Sequence, residues 1–424
     1  MKLCVIGAGY VGVVTGVCFA NDGHQVTFID IDQEKIARLN DGVAPIYEEG
    51  LQDILQRNRE RLRATDDYAA VEEAEAVFIC VGTPSREDGG IDLSYVQEAT
   101  RQIGGHLGQA WQLIVVKSTV VPGTTDGIVT RLLEETSGRT AGRDFSVAMN
   151  PEFLREGIAI QDFRQPDRIV IGVHNQQAEE LLRQLYQPYN APIYTTTPTA
   201  AEMVKYASNA LLATKISYAN EIGNLCKKHG IDVYQVMEAV GLDHRISPHF
   251  LRAGAGFGGS CFPKDVRALI TAGSDAGHEM HLLRSVMQVN KEQPHRMLEL
   301  LKKHLGNLEE ARISVLGLAF KPNTDDIRES RSIPVIQALI EQGATVAAYD
   351  PMATENMRRL YPDIEYRNSP EEALENAEGC LVMTDWPVFK NLDFSGMARP
   401  VVIDGRRIIP EDQHQDIIYE GICW

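Results

Sequence analysis

The sequence predicts an α/β protein with two doubly wound domains, joined by a long central helix and a helical middle domain. Short apolar runs alternate with amphipathic segments at the start of the chain and again from Arg312. Between them, the stretch from Thr199 contains neither glycine nor proline before Gly223. A length of 424 residues also predicts about three domains. We expect these domains at residues 1–198, 199–305 and 306–424.

In the first section, Lys2–Ile6 and Gln25–Ile29 are predicted as buried strands that flank a helix from about Val11 to Asn21. Such alternation is typical of an open parallel sheet with helices on both faces. Further strands are predicted at Ala76–Val81, Gln112–Lys117, Ser146–Met149 and Arg168–Val173, and helices at Asp32–Asn40 and Ser94–Leu107.

The middle section begins with a predicted capping box, in which the Thr199 hydroxyl accepts from a backbone amide and Glu202 reaches back. Helical composition then continues to the C-cap glycine Gly230, which gives a helix of about 30 residues and roughly 45 Å. A helix of this length is suited to joining two domains. More helix is predicted over Val233–Val240 and Val266–Lys303.

The last section repeats the architecture of the first without its glycine-rich loop. We predict a strand at Arg312–Leu316, a helix at Ser332–Gln342, and a strand at Thr345–Tyr349 that ends in Asp350. Residues 317–320 lack a triple-glycine pattern, so the repeat is one of architecture only. Later strands are predicted at Gly379–Met383 and Pro400–Ile403.

Charge and cysteine content exclude several classes of function. A net charge of −18 argues against nucleic acid as the main partner, although a local group of cations can still bind a small anion. The seven cysteines form no C-x-x-C pair and no zinc-ligand spacing, so we predict no metal site. The odd number of cysteines, and the lack of a cleavable signal or a long apolar run, predict a cytoplasmic protein.

A glycine-rich loop follows the first predicted strand and opens the first helix. Gly7, Gly9 and Gly12 form a G-x-G-x-x-G pattern, which lets backbone approach a pyrophosphate at a helix N-terminus. Asp30 ends the second strand, where a carboxylate can accept from an adenosine ribose and repel a 2′-phosphate. The loop alone would also fit FAD, but with Asp30 it predicts a Rossmann-like domain that binds NAD rather than NADP.

A second glycine-rich stretch precedes Cys261. Its neighbours Lys264 and Asp265 could lower the pKa of the thiol and accept a proton. On the central helix, Lys205 and Asn209 are four residues apart, and a cation and an amide on one face can stabilise an oxyanion. The alternatives are a buried structural thiol and a solvated helix face.

With these motifs the chain resembles the UDP-glucose/GDP-mannose dehydrogenase family over nearly its whole length. The most specific shared motifs are NPEFL and GFGGSC-x-PKD. The family's fold agrees with the one predicted above, and its long central helix also builds a dimer. The motifs are, in order, GAGYVG (7–12), VGTP (81–84), STV (118–120), NPEFLREG (150–157), DFRQPDRIVIG (162–172), GFGGSCFPKD (256–265) and FKPNTDDIRES (320–330).

The resemblance implies two successive NAD-dependent hydride transfers that convert UDP-glucose to UDP-glucuronate. Cys261 would capture the intermediate aldehyde as a thiohemiacetal, and the second transfer would give a thioester that water hydrolyses. The other catalytic positions are Lys205 and Asn209 at the oxyanion and, as alternative proton acceptors, Glu152 or Asp265 with a water fixed by Thr119.

The resemblance also implies binding residues. Cofactor contacts match Gly7, Gly9, Tyr10, Val11, Gly12, Asp30, Lys35, Thr83, Thr119, Glu156, Lys264 and Arg328. Substrate contacts match Glu152, Phe153, Leu154, Lys205, Asn209, Phe250, Leu251, Arg252, Gly254, Gly258 and Lys321, with Arg245 reaching across the dimer. Arg252 departs from the family pattern and leaves the base and sugar open. The alternatives are a GDP-mannose 6-dehydrogenase and a catalytically silent nucleotide-sugar sensor.

Overall fold

The computed structural model describes residues 1–413 and 415–424. It divides into two compact units, Met1–Ser208 and Asn209–Trp424. The division falls within a single helix of 31 residues, Pro198–Lys228. The three-domain division made from the sequence stays a prediction. Among the described residues, no helix is both long and apolar enough to cross a membrane.

The first unit is built on an eight-stranded sheet in the order β3-β2-β1-β4-β5-β6-β7-β8. Neighbouring strands are parallel except β6 and β7. The strands are β1 Lys2–Ile6, β2 Gln25–Ile29, β3 Leu62–Thr65, β4 Ala76–Ile79, β5 Gln112–Val116, β6 Phe145–Met149, β7 Ile169–Gly172 and β8 Ile193–Thr196. The helices are α1 Tyr10–Asn21, α2 Gln33–Asn40, α3 Leu51–Arg57, α4 Ser94–Gly105, α5 Thr130–Ser137, α6 Ala159–Arg164, α7 Gln176–Tyr186 and the start of α8, Pro198–Lys228.

Both faces of this sheet are covered by helices. Alternate residues of β1 belong to different cores: Leu3 and Val5 pack with α1 and α7, whereas Cys4 and Ile6 pack with α4 and α5. A strand buried on both faces needs apolar side chains at every position, which explains the short continuous apolar runs in the sequence. The doubly wound fold predicted for this section is confirmed.

The described part of the second unit contains a six-stranded parallel sheet in the order β11-β10-β9-β12-β13-β14. The doubly wound architecture predicted for the last section is confirmed. The strands are β9 Arg312–Leu316, β10 Thr345–Tyr349, β11 Glu365–Tyr366, β12 Gly379–Val382, β13 Val401–Asp404 and β14 Ile418–Gly421. The helices after α8 are α9 Val233–Gly241, α10 Phe262–Asp275, α11 His281–Leu305, α12 Ser332–Glu341, α13 Thr354–Leu360 and α14 Pro370–Leu374.

The predicted capping box at the start of α8 is wrong. The helix begins at Pro198, and the Thr197 hydroxyl accepts from the Ala200 amide at 3.3 Å. Proline at the first helical position suits this start, because its missing N–H would have had no partner there. Glu202 does not reach back along the helix; its carboxylate accepts from the Gly123 amide and from the amide and hydroxyl of Thr125.

The end of α8 follows the prediction, but the helix predicted after it does not. Gly230 has φ +66° and the Ile231 amide donates to the Cys226 carbonyl, as in a Schellman ending. The continuous helix predicted over Val266–Lys303 is wrong, because Gly277 with φ +73° separates α10 from α11.

Candidate active site

The loop between β1 and α1 is shaped by its glycines. Gly7 has φ +98°, and a Cβ on Gly12 would lie 1.9 Å from the Gly7 carbonyl oxygen. Gly9 is the N-cap of α1 and forms no side-chain cap, and no protein atom lies within 4 Å of where its Cβ would be. Space is therefore left beside the N-terminus of α1, as the pyrophosphate of a dinucleotide requires.

Asp30 lies beside this loop at the end of β2. Its carboxylate accepts from the Ala8 amide at 2.5 Å and from the Asp32 amide at 2.9 Å. The side chain is half-buried, so lone pairs remain for the hydroxyls of a ribose. The predicted cofactor residue Lys35 is also half-buried, and its ammonium lies 3.7 Å from Asp32. These residues fit NAD.

Glu48 is a buried carboxylate that the sequence did not distinguish from its exposed neighbour Glu49. It accepts from the Tyr10 hydroxyl and from the Gly157 and Ala159 amides, the last two at 2.8 and 2.6 Å. The Gly157 amide also donates to the Tyr10 oxygen at 2.9 Å. Glu48 therefore ties the cofactor loop to the end of the NPEFLREG segment.

Glu152, in the NPEFL motif, forms a buried ion pair with Lys205. The Lys205 Nζ lies 2.6 Å from Oε1, and the Leu154 amide donates to Oε2 at 2.6 Å. Burial raises the pKa of Glu152, but the charge and hydrogen bond of Lys205 outweigh it and hold the pKa below its usual value. Glu152 is therefore an ionised carboxylate able to accept a proton.

Lys117, which the sequence did not single out, is buried at the end of β5. Its Nζ donates to the Asn150 side chain at 2.8 Å and to the Tyr186 hydroxyl at 3.3 Å. Burial lowers its pKa to about 8. Together with Glu152 and Phe153 it lines a cavity of about 120 Å³ within the first unit. Arg155 and Arg168 line the same cavity, so Lys117 adds to its positive charge next to the predicted proton acceptor.

The same cavity is lined by two residues that were predicted to contact substrate, the aromatic Phe153 and the aliphatic Leu154. The Phe153 ring has the Arg168 guanidinium 4.0 Å and the Lys205 ammonium 5.6 Å from its centroid. Such cation–π contacts fix the ring in one orientation. Four further predicted residues of this unit are half-buried: Val11, Thr83, Thr119 and Glu156.

Cys261 lies in the second unit at the N-cap position of α10. It is exposed, whereas the other six cysteines are buried, so the alternative of a buried structural thiol is wrong. A thiol at a helix N-terminus is favoured as thiolate by the helix dipole. The Asp265 amide donates to the Cys261 carbonyl at 2.8 Å, which fixes the first turn of the helix.

Asp265 is buried one turn after Cys261. Its carboxylate accepts from the Asn209 side chain at 2.6 Å and from the Lys264 ammonium at 2.7 Å. The Lys264 ammonium is therefore bound to Asp265. The structure brings Asp265, Lys264 and Asn209 into contact, one helical turn after Cys261.

Three buried amide side chains hold the loop before Cys261, and the sequence did not single them out. Asn220 accepts from the Gly254 amide at 2.7 Å, and Gln293 donates to the Gly254 carbonyl at 2.9 Å. Asn290 both accepts from and donates to the backbone of Phe257. In the sequence, each could have been recognised as a polar residue on an otherwise apolar helix face.

The remaining predicted residues are spread over loops of the second unit. Gly254, Gly258 and Leu251 are buried or half-buried, while Arg252 is exposed. The half-buried Lys321 has its ammonium 5.5 Å from the Phe320 ring centroid. Phe250 has φ +66°, Arg328 is paired with Asp326, and the exposed Arg245 is paired with Asp243 of its own chain.

Arg406, after β13, is a further cation that the sequence did not single out. Burial lowers its pKa, although the nearby charges of Asp385 and Asp404 oppose this effect. Its Nε donates to the Met383 carbonyl at 2.6 Å. Arg406 therefore places a positive charge in the interior of the second unit.

We predict that Asp30→Asn weakens NAD binding about tenfold, because a hydrogen bond to a charged acceptor contributes roughly 1.5–3 kcal/mol. Binding of NADP should weaken less or improve, since the repulsive charge is removed. Isothermal titration of both cofactors measures this change, with the exposed nearby carboxylate variant Glu34→Gln as control. Equal affinity of the unmodified protein for NAD and NADP would contradict this role of Asp30.

We predict that Lys117 makes stability depend on pH above about 8. Because burial lowers its pKa from 10.5 to about 8, the unfolded chain binds more protons between these values. The free energy of unfolding therefore increases as pH rises through this window. This increase is lost as pH falls back to about 8. Lys117→Met should remove this dependence in urea unfolding, whereas the exposed control Lys302→Met should keep it. If the free energy of unfolding of Lys117→Met depended on pH in the same way as that of the wild type, Lys117 would not be the cause.

Comparison with known proteins agrees with this geometry. Sequence models of the UDP-glucose/GDP-mannose dehydrogenase family match over its NAD binding domain (residues 1–190), central domain (199–292) and UDP binding domain (314–411).

Similar proteins include UDP-glucose 6-dehydrogenase AglM of Haloferax volcanii, 48% identical with 100% of both chains covered. UDP-glucose 6-dehydrogenase TuaD of Bacillus subtilis is 43% identical, with 99% of this chain and 93% of that one covered. The structure of a UDP-glucose dehydrogenase from Pyrobaculum islandicum is 47% identical, with a TM-score of 0.95 over 100% and 98% of the chains. The chain therefore belongs to the UDP-glucose/GDP-mannose dehydrogenase family and is an NAD-dependent nucleotide-sugar dehydrogenase.

Proposed function

We propose that this protein is a UDP-glucose 6-dehydrogenase, which converts UDP-glucose, two NAD and water to UDP-glucuronate and two NADH. The observation that carries the proposal is Cys261, an exposed thiol at the start of α10 beside a buried carboxylate. Among nucleotide-sugar substrates, UDP-glucose is favoured by the names of the similar proteins at 48 and 43% identity.

In the first oxidation the C6 alcohol loses a proton from oxygen and a hydride from carbon. NAD supplies the hydride acceptor here and again in the second oxidation. The proton acceptor is a carboxylate of this chain: Glu152, which Lys205 keeps ionised, or Asp265 through a water fixed by Thr119. The product of this step is the C6 aldehyde.

In the second oxidation Cys261 forms a bond to the aldehyde carbon. An aldehyde carbon must first become tetrahedral before its remaining hydrogen can leave as hydride. The thiohemiacetal oxygen carries developing negative charge, for which Lys205 and Asn209 are the proposed donors. Loss of hydride and of the hydroxyl proton gives a thioester. Water then adds to the same carbon, the C–S bond breaks, and the thiolate of Cys261 is regenerated.

The second unit supplies the proposed nucleotide site. A UDP group carries two phosphates, and cations are the groups that bind phosphate in proteins. Lys321, Arg252 and Arg406 are the cations that support this assignment. The match of the family's UDP binding domain to residues 314–411 includes two of them.

A GDP-mannose 6-dehydrogenase would use the same chemistry and is the closest alternative. A GDP-mannose dehydrogenase of Pseudomonas aeruginosa is also similar, at 36% identity and a TM-score of 0.58 over 100% of both chains. Lower identity to that protein than to the UDP-glucose dehydrogenases favours glucose. A silent sensor is disfavoured, because Cys261, Asp265, Lys205 and Asn209 are all present.

We also propose that the protein forms a homodimer through α8. Leu211, Tyr218 and Leu225 recur every seven residues on this helix and are 62, 47 and 54% exposed. Large apolar side chains in one stripe on a helix are typical of a surface that packs against a partner. A second copy of the chain supplies a matching stripe by symmetry. The exposed Arg245 is the residue expected to act in the partner's site.

We predict that Cys261→Ala folds and binds NAD and UDP-glucose but forms UDP-glucuronate at least about a thousandfold more slowly, the size expected when a covalent nucleophile is lost. Chromatographic detection of UDP-glucuronate measures this rate. Cys423→Ala, which removes a buried thiol, is the control and should keep turnover. Turnover near that of wild type in Cys261→Ala would make Cys261 a structural thiol.

We predict that Leu211→Glu with Leu225→Glu shifts the protein from dimer towards monomer, because two charges per copy would be buried in the interface. Light scattering during size-exclusion chromatography measures the mass. Leu360→Glu, on the exposed surface of α13, is the matched control and should leave the mass unchanged. A double variant that keeps the wild-type mass would exclude this helix face as the interface.

A further inference from the structure

The loop that carries Cys261 closes on the segment 326–331 of the same unit. The Gly259 amide donates to the Arg328 carbonyl at 2.9 Å. A Cβ on Gly258 would lie 2.3 Å from the Glu329 carbonyl oxygen, so the two backbones are in direct contact. Only a glycine allows this approach. The backbone of Glu329 therefore packs directly against the loop that precedes the thiol.

Glu329 holds an unusual backbone conformation for a residue with a side chain. Its φ is +53°, in the left-handed region, which is unfavourable for a residue other than glycine. Such a conformation persists only when surrounding contacts enforce it. Arg331 provides two of these contacts, since its Nε and Nη2 donate to the Glu329 carbonyl at 3.0 and 2.7 Å.

The Glu329 carboxylate joins two helices. Its Oε1 lies 2.8 Å from the Arg267 Nη1, and its Oε2 lies 3.2 Å from the Arg331 Nη2. Arg267 is on α10, the helix whose N-cap is Cys261, and Arg331 is the N-cap of α12. Burial raises the pKa of Glu329, but the two arginines outweigh it and hold the pKa below its usual value. The carboxylate is therefore ionised at neutral pH.

We propose that Glu329 is a positioning residue for Cys261: its carboxylate fixes α10 through Arg267, and its carbonyl fixes the glycine loop at Gly258. Both ends of the turn that presents the thiol are then held by one residue. Glu329 itself does not contact the reacting atoms. Its removal changes where the thiol lies relative to the N-terminus of α10, and with it the stabilisation of the thiolate.

The test is the pH profile of Cys261 alkylation by iodoacetamide in the intact protein. Cys261 is exposed and the other six cysteines are buried, so labelling of the native protein reports on this thiol. Glu329→Gln keeps the size of the side chain and removes the charge. We expect its alkylation at pH 7 to be about threefold or more slower than wild type, with the apparent thiol pKa raised by about half a unit. Glu329→Ala should show the same direction with a larger effect.

Glu365 provides a matched control. It also joins two arginines, Arg312 and Arg367, and its side chain is 38% exposed against 36% for Glu329. Glu365→Gln loses the same kind of bridge but leaves the loop before Cys261 intact. Its alkylation profile should equal that of wild type. An unchanged profile in Glu329→Gln, or an equal change in Glu365→Gln, would overturn the proposal.

The kinetic consequence rests on the proposed function. In Glu329→Gln we expect kcat for UDP-glucuronate to fall about tenfold while KM for NAD stays within about twofold, because only the thiol is displaced. If the wild type forms no UDP-glucuronate, the proposed function fails, yet the alkylation profile still decides the role of Glu329. An alkylation change with unaltered kcat in an active enzyme would also overturn the positioning role.

Discussion

The loop before Cys261 has no room for side chains at its glycine positions, and the packing of the second unit depends on that constraint. A Cβ on Gly254 would lie 2.5 Å from the Gly405 carbonyl oxygen, and one on Gly258 would lie 2.3 Å from that of Glu329. Gly256 and Gly259 meet Asn290 and Phe320 as closely, and both have positive φ. Four separate segments of the chain therefore pack against the glycines of one loop. A loop enclosed in this way presents its thiol in a single position, which is what a covalent nucleophile requires.

The carboxylates near the proposed chemistry are held by charged or amide partners. Glu152 is paired with Lys205 in the first unit, and Asp265 with Asn209 and Lys264 in the second. Breaking such a buried pair would leave an uncompensated charge, so the partners are as constrained as the carboxylates themselves. The donors proposed for the oxyanion are thus already oriented by protein groups before any substrate binds.

The strands around the first glycine loop, and the α8 ending at Gly230, were predictable because each depends on neighbours in sequence. Cys261, Lys264 and Asp265 could be grouped for the same reason. Glu48, Asn220, Asn290 and Lys117 could not, since their roles come from contacts with residues far along the chain. The start of α8 was predicted wrongly for a different reason: two threonines flank Pro198, and either could cap a helix. The break at Gly277 was not predicted, because a single glycine with good helix formers on both sides can also lie within a helix.

In the proposed function one active site carries out two oxidations on one sugar, and Cys261 links them. This is tested by the number of NADH molecules formed for each UDP-glucose consumed, with UDP-glucuronate counted in parallel. We expect two NADH and one UDP-glucuronate per sugar in the wild-type protein, and much less conversion of GDP-mannose. One NADH per sugar with release of an aldehyde, or none at all, would contradict it.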